Sequence, residues 1–478
     1  MPTFSPVELA RWATGRWTVQ PTGLLQGFSI DSRFVGAGQI FVALKTDKRD
    51  GHDFLAAAQS AGAAAAIVAV PNPAVTLPQL VVDDPLRAFQ AIARELRREF
   101  PGPVIGVTGS AGKTSTKNLL ALLLGGESGG VLATEGNLNN HLGVPLTLTR
   151  LDRTRHRFAV IEAGIGGPGE MTPLSSMIEP DLAITTLVAA AHTEALGDLE
   201  GVAREKAQLS AAVRPAGVAI FPTQCAGFSA FRSLGVRMMV IEPAEVVRPS
   251  EPALDKVYFA LTQRGDATAL SIAYGVPPPL TFTLRRVTDG MAQNAVLAIC
   301  AALWLGISPE LVQARLSGWA PAPLRGEWRR DGDRLLYLDC YNANPASMTD
   351  ALATFSAVSP PSDPRLFVIG GMEELGPDAA RLHREIGRAV SLRPQDFLAV
   401  VAEHAVEVRA GALESGAVSS QIAIESSAQS LAQRLAGFQG SVFVKGSRRY
   451  ALEKCLTPAG AGSGGAKTAN PPAFAVHA

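Results

Sequence analysis

Residues 106–120 read GVTGSAGKTSTKNLL, and few local patterns restrict a chain more. An apolar strand predicted to end at Val107 runs into a glycine-rich loop, and a helix is predicted from Lys113 and Thr114. Glycines at 109 and 112 let the backbone approach closely, so that successive N–H groups and the helix N-terminus face an anion. Lys113 then reaches terminal phosphates, and the Thr114 hydroxyl is placed to ligate Mg²⁺. The strict GxxxxGK[ST] spacing is not met, because Val107 stands where the first glycine belongs.

At 478 residues the chain has room for about three domains. Apolar residues make up 47% and charged residues 18%, which excludes global disorder. Lys plus Arg (43) equals Asp plus Glu (43), so no overall field favours a nucleic acid or an anionic membrane, and an anionic ligand needs a local site. Cys225, Cys300, Cys340 and Cys455 form no CxxC pair, so a reduced, cytoplasmic chain is expected. The N-terminus resembles a short helix with Ser5 as N-cap and Pro6 at its first position rather than an export signal. The apolar stretch 55–70 is interrupted by Gln59, Ser60 and Gly62, and falls short of the about 18 residues a membrane span needs. It is predicted to form a helix, a turn and a buried strand.

Strands and helices alternate three times along the chain. The first alternation (QIFVAL, AAIVAV, LPQLVVDD and a helix from Pro85) covers residues 1–98. The second runs through the phosphate loop, RFAVIEAG, DLAITTLV and GVAIF, then β-hairpin material at 255–284 and an apolar helix around 294–305, covering 99–318. This order favours a parallel sheet covered on both faces. After the Pro-rich stretch SGWAPAPLRG, the third alternation (RLLYLDC, RLFVIGG, DFLAVVAEH, GSVFVKGS) covers 319–456. Residues 457–478, rich in Gly, Ala and Pro, are expected to be disordered.

Other candidate groups lie in the second alternation. Glu162 ends the strand RFAVI, where ligands bind in open α/β sheets; helix capping is the alternative. His192 follows the next strand and could complete a Mg²⁺ site with Glu162 and Thr114, or be structural. Lys206, in REKAQL, would alone be taken for a solvated lysine.

Five stretches together resemble the Mur ligases, ATP-dependent amide-bond-forming enzymes of peptidoglycan synthesis. They are DSRFVGAGQIFVAL with DGHDF (31–54), TGSAGKTSTK (108–117), TEGNLNNHLGVPLTL (134–148), YNANPASM (341–348) and KGSR (445–448). The GNLNN and YNANP combination is most similar to the branch of the family that adds D-alanyl-D-alanine. The resemblance implies an α/β chain of three-domain Mur ligase architecture, with a UDP-sugar-binding domain, a central P-loop parallel-sheet ATP-binding domain and a C-terminal Rossmann-like ligase domain. It implies a cytoplasmic, monomeric enzyme acting on UDP-N-acetylmuramoyl-tripeptide and D-alanyl-D-alanine with ATP and Mg²⁺. Ser32 and Arg33 would hold the UDP-sugar. Gly109, Ser110, Ala111, Gly112, Lys113, Thr114, Ser115, Asn294, Arg325 and Asp339 would bind the nucleotide, and Thr114, Glu162 and His192 the metal. Asn137, Asn139, Asn140, Tyr341, Asn342, Asn344, Lys445 and Arg448 would contact substrate. Lys113, Glu162, His192 and Lys206 would serve catalysis, Lys206 at a position where several members carry a carbamylated lysine.

Two departures leave alternatives open. Leu338 precedes Asp339 where a paired acid is usual, and Gln293-Asn294 with Leu297 stands in place of His-Asn-x-x-Asn. The alternatives are a Mur-type ligase adding a single amino acid, or a nucleotide-binding regulator that has lost catalysis.

Overall fold

The computed structural model describes residues 2–244, 256–275 and 277–456; the expected tail at 457–478 lies outside them. Among the described residues no helix is long and apolar enough to cross a membrane.

The N-terminal unit is a five-stranded sheet in the order Arg16–Trp17, Gln79–Val81, Ala65–Val68, Ile40–Val42, Phe28–Ser29, parallel except at the first of these. The stretch 55–70 forms the helix Leu55–Ser60, a turn at Gly62 and the fully buried strand Ala65–Val68. Helix Pro85–Glu99 closes the unit. Asp84 caps it by accepting from the N–H groups of Leu86 (2.8 Å) and Arg87 (3.2 Å), and Pro85 opens it with a φ already suited to the first turn. Its Ala88, Phe89 and Ile92 pack on this sheet, while Ala93 joins the core of the next unit.

Arg97, on the same helix, is wholly buried and crosses to the central unit. Its guanidinium donates to the carbonyls of Ile178 (2.9 Å) and Glu179 (2.7 Å), where helix Met171–Ile178 ends, and to the Asp181 carboxylate (2.7 Å). A cation at a helix C-terminus satisfies carbonyls that have no partner inside the helix.

The central sheet has nine strands: Leu280–Arg285, Ala267–Ile272, Lys256–Arg264, Met238–Pro243, Val218–Pro222, Leu182–Thr185, Val104–Thr108, Phe158–Glu162 and Val131–Ala133. The first three are antiparallel, as the hairpin composition predicts, and the others are parallel. The strand before the phosphate loop extends one residue past its predicted end, to Thr108. Strand Met238–Pro243 is not among those expected from the sequence. Helices Lys113–Leu124 and Asp289–Trp304 cover one face, through Leu119, Leu120, Leu123, Ala295, Val296 and Ile299, and helices Met171–Ile178 and Leu199–Ala211 cover the other. Helix Asp289–Trp304 begins five residues before its predicted start, because Thr288 caps it by accepting from the Met291 N–H at 3.2 Å.

The C-terminal sheet has the order Glu327–Asp331, Arg334–Asp339, Ser441–Lys445, Arg365–Gly370, Phe397–Val401, Ile422–Ile424, all parallel but the first. Arg365 and Asp396 form a buried ion pair at the start of its strand, closing at 2.6 Å. The ends of its strands at Asp339 and Lys445 border the same cleft as the end of the central strand at Glu162 and the loop that follows Thr108.

Candidate active site

A cavity of about 800 Å³ lies between the central and C-terminal units. The phosphate loop forms its floor. Gly109 (φ 144°) and Gly112 (φ 78°) take backbone conformations that side chains oppose, and an added Cβ would lie 1.8 Å from Thr186 Oγ1 and 2.2 Å from Asn294 Nδ2 respectively. The loop is braced from the next strand: Ser110 N–H donates to Leu187 O (2.8 Å), and Ser110 Oγ accepts from Ala189 N–H (3.0 Å). Lys113 opens the helix, and its Nζ donates to Gly109 O at 2.8 Å. Burial draws the Lys113 ammonium below its ordinary pKa, against the pull of Glu162.

Beside it, Glu162 Oε1 accepts from Asn139 Nδ2 (2.8 Å) and Thr114 Oγ1 (3.2 Å), while Glu162 Oε2 is buried with no partner. Thr134 Oγ1 accepts from the Glu162 N–H at 2.9 Å and holds the strand end in place. An orphaned carboxylate oxygen next to a hydroxyl is a donor set suited to a hard oxygen-seeking cation, so these residues fit Mg²⁺. No group of three His, Cys, Asp or Glu side chains is gathered for a metal among the described residues, so any such ion would draw further ligands from substrate oxygens and water.

His192 lies on the same wall, but its Nδ1 is paired with Glu374 of the C-terminal unit. The Glu374 carboxyl is held below its ordinary pKa by that contact. The structure thus brings Thr114 and Glu162 together directly and turns His192 toward a different carboxylate. Lys206 is buried on helix Leu199–Ala211, outside the cavity lining. Its pKa is pushed well down, by burial first and then by Lys113.

From the C-terminal side, Asp339 is paired with the buried Lys445, and Arg325 stacks on Tyr341 with its guanidinium carbon 3.8 Å from the ring centre. Asn342 lines the cavity. Asn344 is fully engaged: its Oδ1 caps helix Pro345–Val358 at Ser347 N–H (2.9 Å) and its Nδ2 donates to Ser110 O (3.2 Å). Asn137, Asn139 and Asn140 line the opposite wall, with Asn140 Oδ1 accepting from Gly143 N–H at 2.9 Å. Ser115 and Asn294 are also at the wall. Ser32, Arg33 and Arg448 are not. Arg33 pairs with Asp31 at 2.6 Å on the first unit, and Arg448 pairs with Glu453.

The two departures are core residues. Leu338 alternates with Asp339 along a strand, so while Asp339 meets the cavity Leu338 packs against Leu366, Val368 and Val444, and it is 1% exposed. Leu297 is wholly buried against the central sheet. Neither withdraws a functional group from the cavity. Sequence reasoning missed Glu374, Lys117 and Asp350. Glu374 lies in the loop after the parallel strand Arg365–Gly370, and Lys117, one turn after Lys113, donates to Thr134 O behind the loop. Asp350 gave no local signal.

Residues 25–97 match the Mur ligase family catalytic domain, residues 107–237 the Mur ligase middle domain, and residues 324–448 the Mur ligase glutamate ligase domain. The chain is 31% identical over 439 residues to the UDP-N-acetylmuramoyl-tripeptide--D-alanyl-D-alanine ligase of Escherichia coli, covering 90% of this chain and 93% of that protein. It is 31% identical to the Bacillus subtilis enzyme of the same name over 77% of this chain and 78% of that one. A crystal structure of MurF from Acinetobacter baumannii superposes with a TM-score of 0.83 at 26% identity, covering 95% and 98% of the two chains. MurF from Thermotoga maritima, solved in complex with ADP, shares the fold with a TM-score of 0.76 at 24% identity, covering 90% of this chain and 96% of that one. With its phosphate loop, its three large sheets among the described residues and this likeness along nearly its whole length, the chain belongs to the Mur ligase family.

Proposed function

We propose that the protein joins D-alanyl-D-alanine to UDP-N-acetylmuramoyl-tripeptide at the expense of ATP, a step of peptidoglycan precursor synthesis. The observation that carries this reading is one cavity in which Lys113, Thr114, Glu162 and Asn139 face Asp339, Lys445, Arg325 and Tyr341 across a domain seam.

A carboxylate does not form an amide with an amine unaided at neutral pH. Transfer of the γ-phosphoryl group to the tripeptide carboxylate gives an acyl phosphate and ADP; the dipeptide amine then attacks the acyl carbon and phosphate leaves. Lys113 and the loop N–H groups oppose the charge on the transferring group and hold two anionic reactants together. Bound Mg²⁺ would add charge neutralisation at the phosphate oxygens, held by Thr114 and Glu162 with His192 on the same wall. The C-terminal unit excludes water from the acyl phosphate by covering the loop. Burial disfavours the charged form of Lys206, the direction that frees a lysine amine to react with CO₂, in keeping with a carbamylated residue. Ser32 and Arg33 would hold the UDP end on the first domain. We place the enzyme in the cytoplasm, where ATP and nucleotide-linked precursors are found, and take it to act as a monomer.

Product formation from D-alanyl-D-alanine, measured by mass against D-glutamate, L-lysine and meso-diaminopimelate with the same donor, tests the assignment. The dipeptide is expected to turn over fastest; a single amino acid that outperforms it would overturn the reading. For the metal, Glu162→Gln keeps the shape and removes the charge. It is expected to raise the Mg²⁺ concentration needed for half-maximal activity by about tenfold or more. A Mg²⁺ titration matching that of the unaltered enzyme would remove Glu162 from the metal site.

A further inference from the structure

The C-terminal unit touches the cleft through helix Pro345–Val358, and it does so twice. Its N-cap, Asn344, reaches the phosphate loop directly at Ser110 O. Six residues on, Asp350 reaches the first turn of helix Asp289–Trp304: Gly290 N–H donates to both carboxylate oxygens, at 3.2 and 3.1 Å. The first N–H groups of a helix have no partner within it, and a carboxylate there also meets the positive end of the helix dipole. The N-cap Thr288 serves Met291 and leaves Gly290 to Asp350.

Glycine is what permits this approach, since a Cβ at 290 would lie 2.6 Å from Asp350 Oδ2. One turn further along the same helix, Asn294 sits against Gly112 so closely that a Cβ there would lie 2.2 Å from its Nδ2. The helix therefore joins the domain seam at one end of a turn to the phosphate loop at the other. We propose that Asp350 is a positioning residue for the ligase reaction, seating helix Asp289–Trp304 when the C-terminal domain closes and thereby holding Asn294 and the phosphate loop in register with the nucleotide. The inference rests on the ligase reading, and it concerns how closure is felt at the loop rather than the chemistry itself.

Steady-state kinetics and hydrogen exchange test it together. Asp350→Ala is expected to raise KM for ATP by about tenfold, with a smaller loss in kcat, while Asp350→Asn, which keeps one acceptor oxygen, loses less. Gly290→Ala places a better helix former in the first turn, yet is expected to impair the enzyme in the same way because of the collision. In the Asp350→Ala background the same change is expected to cost nothing further, within about twofold. In complex with a non-hydrolysable ATP analogue, amides 290–294 should exchange faster in Asp350→Ala while amides 366–369 of the C-terminal sheet do not. Additive effects of the two substitutions, unchanged exchange at 290–294, or faster exchange throughout the C-terminal domain would each overturn the proposal. Should the alanine variant fail to fold, the nearly isosteric Asp350→Asn carries the exchange and KM measurements. A wild-type enzyme without ligase activity would defeat the functional reading, whereas the exchange pattern would still judge the seam.

Discussion

Replacing Lys113 by Ala is expected to lower turnover by about 10²–10³-fold, equivalent to about 2.7–4 kcal/mol of lost transition-state stabilisation, while the protein stays folded. Lys113 is the only cationic side chain between residues 109 and 115, so no neighbour within the loop can take over its charge. Its hydrogen bond to Gly109 O lies on the floor of the cavity and not in a hydrophobic core, so its loss weakens the loop rather than the sheet. Glu162 would then face the phosphates with less opposing charge, which adds to the loss. ADP release in the presence of both substrates, alongside a melting curve, gives the result. Turnover within about fivefold of wild type and unaltered melting would show that the lysine does not follow the γ-phosphate.

The second large effect is on stability. Asp396 accepts from the backbone N–H groups of Arg365 and Arg393 (both 2.8 Å) and from the Arg365 guanidinium (2.6 and 2.8 Å), with its side chain wholly buried. Asp396→Ala leaves the buried Arg365 charge unopposed, at an expected cost of about 3–5 kcal/mol to the C-terminal domain. Its thermal transition should fall by at least about 8 °C. Burial alone would raise the Asp396 pKa, but the hydrogen bonds from Arg365 and Arg393 outweigh it and the value lies below the ordinary 3.8. A depressed carboxyl pKa gives stability that is complete above the unfolded value and is lost as pH falls through the folded one. The variant should therefore lose the acid-dependent part of the transition that wild type shows below about pH 4. A transition unchanged in temperature and in its acid dependence would show that the pair is not holding the sheet.

What could be seen in advance followed from local pattern. The phosphate loop needs a strand, glycines and a helix start within a dozen residues, and Glu162 needs only a place at the end of a parallel strand, so both are legible from residue order. The hairpin at 255–284 was legible from composition. Long-range geometry was not. Glu374 meets His192 across a seam between residues far apart in the chain, and Asp350 acquires its part only because Gly290 lies opposite it. Asn344, read as a substrate contact, spends both ends of its side chain on protein groups. Leu338 and Leu297 suggested a lost function because alignment by motif ignores side-chain direction; strand alternation and helix facing place both in the core.

Arg97 has a bearing on which parts of the enzyme can move. Its guanidinium is stitched to the end of helix Met171–Ile178 and to Asp181, which in turn accepts from the N–H of Val104 at the root of the strand that feeds the phosphate loop. Freeing it would strand a cation and two helix-end carbonyls away from water, a barrier that ordinary thermal fluctuation seldom crosses. The first and central domains are thus expected to behave as a single anvil, and the C-terminal domain as the only hammer. Scattering or fluorescence distance measurements across the catalytic cycle should then register motion between the second and third domains alone, with the separation of the first two constant whether substrates are bound or not.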